Sequence, residues 1–141
     1  MATWQLGPFD NDDAVEWCAA LEAAPHGQRA ELVRRTLDTA VLAGRALTAG
    51  EAARAVAAAA TALQLLTGTP VSESAYAPRF LLGRGGSRVN PSLRGLAIQA
   101  LNVILADESA WRLQWANHVE EEEALAVIEE LRLNLASTAM P

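Results

Sequence analysis

Apolar residues recur at three- and four-residue spacing through most of the chain, the period of one face of an α-helix. Ala14, Trp17, Cys18 and Leu21 predict a first helix from near Asp12 to about Ala24, broken by Pro25, His26 and Gly27. Ala30, Val33, Leu37, Ala40 and Val41 predict a second from about Gln28 to Ala43, with Gly44 as its stop. Thr48 followed by Glu51 reads as a capping box, each side chain satisfying a free backbone N–H. It opens a third helix to about Leu66, ended by Gly68 and Pro70. Eight of the eleven residues from Ala52 to Ala62 are alanine. A helix so smooth and so nearly apolar all round is expected at the centre, approached closely from several sides.

Asn90–Pro91 predicts a fourth helix start, with Asn as cap and Pro at the first helical position. That helix reaches about Leu105 on the stripe Leu93, Leu96, Ala97, Ala100, Leu101, Ile104 and Leu105. A shorter helix, Glu108 to Ala116, carries Trp111 and Trp115. Asn117 and Glu120 form another cap-like pair. In the last helix Ala124, Ile128, Leu131 and Leu135 face inward, and Glu129, Glu130 and Arg132 outward. Residues 68–91 break the pattern with Pro70, Pro78, Pro91, three glycines after Leu82 and several serines, and read as a long loop holding one helical turn, Ala77 to Leu82. The expected fold is all-α: a single compact bundle of about five to six helices around an alanine-rich central helix, spanning 1–141 as one domain.

Composition agrees. The 141 residues include thirty alanines and twenty leucines against nine valines and three isoleucines, which favours helix over strand. Every basic side chain is arginine. The net charge of −6 gives no overall attraction to nucleic acid or to an anionic membrane. Cys18 is the only cysteine, so no internal disulfide forms and a cytoplasmic location is expected. No secretory leader is expected, because Asp10, Asp12 and Asp13 interrupt the region where its apolar stretch would lie. The longest apolar run, Ala55 to Leu66, is too short to span a bilayer.

Trp4 to Trp17 reads W-Q-L-G-P-F-D-N-D-D-A-V-E-W. With Trp4, Gly7, Phe9, Asp10, Asn11, Asp12, Asp13 and Trp17 in those places, it resembles the opening of the bacterial family called domain of unknown function 4259. Leu96 to Trp115, with Ala100-Leu101, Val103, Leu105, Ala106-Asp107-Glu108-Ser109 and Trp115, is similar to the family's later helix pair, and Glu130-Leu131-Arg132 also matches. The resemblance implies a helical fold and a bacterial origin. It implies no substrate, cofactor or catalytic residue.

Candidate chemistry lies in three places. Asp10, Asn11, Asp12 and Asp13 read either as a helix start, with caps and carboxylates opposing the dipole, or as a divalent cation site of hard oxygen ligands. An EF-hand is excluded, since Ala14 stands where the third ligand would be. The loop Gly83-Arg84-Gly85-Gly86-Ser87-Arg88 reads either as a surface loop or as an anion cradle without the Lys-Ser/Thr ending of a P-loop. Between Ser74 and Ala106 no acid occurs, while Arg79, Arg84, Arg88 and Arg94 give +4 against −10 for the rest of the chain. This predicts a basic patch that contacts an acidic partner or a phosphate-bearing ligand. Glu120 to Glu123 opposes a helix dipole or forms a partner-facing acidic edge.

No catalytic set assembles. His26 and His118 have no ligand neighbours at zinc spacing, Val89 breaks any elbow around Ser87, and Cys18 lies on an apolar face. Trp4, Trp17, Trp111 and Trp115 are expected in the core, with their indole N–H groups reaching polar partners. The expected function is a small protein-interaction or regulatory module of inhibitor or immunity type, with no cofactor. Its expected partner is another protein, a second copy included, rather than a membrane or nucleic acid. The alternative is a small-ligand or divalent-metal protein, or an enzyme, working at Asp10–Asp13.

Overall fold

A computed structural model describes residues 9, 11–67, 92–106, 109–115 and 118–137. The predicted loop 68–91, with its turn Ala77 to Leu82 and the Asn90–Pro91 helix start, lies outside the described residues. Among the described residues six α-helices form a bundle: α1 (Asp12–Ala23), α2 (Arg29–Ala43), α3 (Ala49–Thr67), α4 (Ser92–Leu105), α5 (Ala110–Leu113) and α6 (His118–Ser137). Single 3-10 turns precede and follow α2, at His26–Gln28 and Gly44–Ala46. There is no strand among the described residues.

The central position expected of the alanine-rich segment is occupied by α3, which touches all five other helices. Ten consecutive residues, Ala55 to Gln64, are buried, so this helix has no solvent face along its middle. Methyl-sized side chains let the neighbouring backbones come near, which larger residues would prevent. Thr61 is fully buried and returns its hydroxyl to the Ala57 carbonyl at 2.8 Å. Around α3 pack Leu21 of α1, Val33 and Leu37 of α2, Leu101 and Ile104 of α4, and Ile128 and Leu135 of α6.

Two helix starts follow the expected chemistry, and the Asn117 cap lies outside the described residues. Asn11 is in extended conformation, and its side-chain oxygen accepts from the Ala14 amide at 2.8 Å. Thr48 and Glu51 close the box in both directions: the Thr48 amide donates to Glu51 Oε1 at 3.0 Å, and the Glu51 amide to Thr48 Oγ1 at 3.1 Å. Gly44 ends α2 with φ 52° and ψ −122°, a region closed to side-chain-bearing residues.

Two expectations change. The face of α2 is narrower than its stripe, since Ala30 is exposed and Val41 half-buried. The fifth helix is one turn, Ala110–Leu113, rather than Glu108 to Ala116, and Ser109 caps it. Glu108 and Ala116 lie outside the described residues. The Ser109 hydroxyl accepts from the Arg112 amide at 3.2 Å and donates to the Ile104 carbonyl at 2.7 Å. That double attachment fixes where the turn begins, against the end of α4.

Candidate functional site

The first candidate is the acidic start of α1. Phe9 is fully buried, which anchors the chain as it enters the helix. Asn11 spends its amide oxygen on the cap. Asp13 reaches across to α3, where Arg54 Nη2 lies 3.2 Å from its Oδ1. Gly50 sits beneath that carboxylate, and a Cβ there would meet Asp13 Oδ1 at 3.4 Å. The segment thus joins a helix start to a second helix through a half-exposed ion pair. Asp10 and Trp4 lie outside the described residues, as do the side chains of His26 and His118. Among the described residues no group of three or more His, Cys, Asp or Glu side chains converges.

The second candidate is the arginine patch. Arg79, Arg84 and Arg88 lie outside the described residues, together with the glycine-rich loop 83–88. Arg94 is held by protein: its Nε donates to the Leu135 carbonyl at 2.6 Å and its Nη2 to the Ala136 carbonyl at 2.5 Å. Two more arginines do the same elsewhere. Arg29 donates to the Leu21 and Glu22 carbonyls that end α1, at 3.2 and 2.8 Å. Arg112 donates to the Leu105 carbonyl that ends α4, at 3.3 Å, and to Glu121 Oε2 of α6, at 2.9 Å. None of α1, α4 and α6 has a basic residue in its own last turn. Each borrows a guanidinium from another part of the fold to satisfy its terminal carbonyls and oppose its negative end.

The third is the outer face of α6. The acidic run divides: Glu121 pairs with Arg112, while Glu122 and Glu123 are exposed. Glu129 and Glu130 are exposed two turns further on. These four carboxylates form no ion pair among the described residues. Between them, opposite the buried Ala124, Ile128, Leu131 and Leu135, lie Val119, Ala126 and Leu133, seven residues apart. Val119 is 65% and Leu133 64% exposed. Sequence reading saw the glutamates but not this apolar row, although its seven-residue spacing is visible in the sequence.

Sequence reading also missed a cavity of about 480 Å³ where the turn after α2 meets α3, α4 and α5. Leu47, Ala52, Val103, Ile104 and Trp111 line it, with Arg45 from the turn after α2 and Ser109 from the α5 cap. It could not be read from spacing, because its walls come from segments about sixty residues apart in sequence.

Trp111 is buried and meets Trp115 edge-on, with ring centroids 5.5 Å apart at 76°. The expectation for the indoles divides. Trp17 Nε1 donates to Thr36 Oγ1 at 2.8 Å, whereas the buried Trp115 Nε1 finds no acceptor among the described residues. Cys18 is a core side chain whose thiol is pushed up to about 12 by burial, far from a nucleophile's range. No described helix is long and apolar enough to cross a membrane.

The model of one family, described as a domain of unknown function (DUF4259), matches residues 2–127. No curated protein and no solved structure matches.

Proposed function

Since the chain belongs to the family of the domain of unknown function DUF4259, whose description assigns no chemistry, we propose a function from surface geometry: a protein-interaction module of inhibitor or immunity type that docks a basic amphipathic helix along α6. The observation that carries this reading is the row Val119, Ala126 and Leu133 flanked by the unpaired Glu122, Glu123, Glu129 and Glu130. Scattered exposed apolar residues need no explanation. A row at heptad spacing does, because it keeps one line facing outward over about 20 Å of helix. Carboxylates on its flanks would attract lysine or arginine on a partner and orient it, while the apolar row supplies the contact that remains once water is excluded.

The test compares the wild type with a Leu133→Asp, Glu130→Arg variant. Proteins captured by the wild type from the producing cell are purified, and their affinities for both forms are measured by calorimetry at low and moderate salt. The reading requires a basic partner whose affinity falls at least about tenfold in the variant and weakens with salt. Captured partners that bind both forms equally would remove it.

The alternative of a small-ligand protein also has support, in the cavity rather than at Asp10–Asp13.

A further inference from the structure

We propose that the cavity between α3, α4 and α5 is a binding site for a small amphiphile with a compact apolar body and one anionic group. Its volume of about 480 Å³ falls in the range of pockets that enclose drug-sized molecules. Leu47, Ala52, Val103, Ile104 and Trp111 present carbon to its interior, so the body of the ligand is apolar.

The polar groups decide the head group. Several backbone acceptors around the cavity are already used. The Val103 carbonyl accepts from the Ala106 amide at 3.3 Å, the Ile104 carbonyl from Ser109 Oγ at 2.7 Å, and the Leu105 carbonyl from Arg112 at 3.3 Å. The Ala106 carbonyl accepts from the Ser109 amide, and the Gly44 carbonyl from the Leu47 amide, both at 3.2 Å. Ser109 Oγ spends its proton on Ile104. Arg45 is the one charged side chain in the lining among the described residues. It is exposed and makes no ion pair or hydrogen bond among the described residues. Arg29, Arg94 and Arg112 are each held by carbonyls, and Arg34 and Arg54 by carboxylates; Arg35 is as free as Arg45 among the described residues but does not line the cavity. A guanidinium at an apolar cavity selects a carboxylate, sulfonate or phosphate on a hydrocarbon or aromatic body.

Octanoate is the probe, with octylammonium and octanol as partners of equal length and different charge. Calorimetry on the full chain is expected to give one saturable site for octanoate, about tenfold tighter than for octanol and tighter still than for octylammonium. Arg45→Glu, a surface change that leaves the core untouched, is expected to remove the preference for octanoate. Val103→Trp, which fills the cavity, is expected to abolish binding of all three, and tryptophan emission should shift on octanoate addition to the wild type but not to Val103→Trp. Absence of saturable octanoate binding overturns the proposal. So does equal affinity for octanoate and octylammonium, or an Arg45→Glu protein that retains the preference.

Discussion

Arg94 on α4 donates its Nε hydrogen to the carbonyl oxygen of Leu135 on α6 at 2.6 Å, across 41 positions of sequence. The contact belongs to two helices at once: it satisfies terminal carbonyls of α6 and pins that end to α4. Arg29 and Arg112 repeat the device at the ends of α1 and α4. In a chain without lysine, a planar fork of donors is well suited to reach two adjacent carbonyls. Arg94→Ala should therefore lower unfolding free energy by about 1–2 kcal/mol in urea titrations. Amide exchange should quicken in the last turn of α6 before it quickens elsewhere. Arg94→Lys should recover less than half of the loss, since one ammonium does not replace the fork.

Two alanines of α3 make a contrasting pair. Ala58 is fully buried and Ala53 only half-buried on the same helix. Ala58→Leu should cost about 3 kcal/mol or more by overpacking, whereas Ala53→Leu should change stability by less than about 1 kcal/mol. Thermal and urea unfolding of the two variants measure the difference.

The indoles give a second contrast. Trp17→Phe removes the hydrogen bond to Thr36 and should cost about 1–2 kcal/mol. Trp115→Phe removes a buried N–H that has no acceptor, so the loss of packing is offset by relief of an unmet donor. Its unfolding midpoint should lie closer to the wild type than that of Trp17→Phe.

Acid should act through the α3 start. Hydrogen bonds from the Thr48 amide and hydroxyl side hold the Glu51 carboxyl below its ordinary value of 4.5. A depressed carboxyl contributes stability that is present above its unfolded pKa and lost as pH falls through the folded one. The Tm difference between wild type and Glu51→Gln should be constant near neutrality and shrink below about pH 4.5. A difference that grows with acidification would contradict the box as the cause.

At the start of α1, Asn11 is committed to a cap and Asp13 to Arg54. Millimolar magnesium or calcium should shift Tm no more than sodium chloride of equal ionic strength. A specific rise, lost in Asp13→Asn, would instead support the divalent cation site read from Asp10–Asp13.

The features legible in the sequence are those whose cause is local. Thr48 and Glu51 lie three residues apart and meet as expected, Asn11 caps the next turn, and the alanines of α3 announce a helix that neighbours approach closely. What spacing could not supply depends on distant segments. Arg94 counted as part of a basic patch because its partner carbonyls belong to backbone, which sequence does not label. The cavity has no signature either, being bounded by residues 44–52 on one side and 103–111 on the other. The fifth helix was overextended because Trp111 and Trp115 sit at helical spacing, although Ser109 and Gln114 bound a single turn between them.

The buried alanines of α3 carry a last consequence. Alanine has no rotamers, so the stretch Ala57 to Ala60 loses no side-chain entropy on folding and has no alternative packing to hop into. Any adjustment at this stretch must come from the leucines and isoleucines of the neighbouring helices, or from a shift of those helices themselves. Ordering is cheap at this axis, and so is keeping it: disturbance is passed outward to the ends of the helices, where arginines grip the carbonyls.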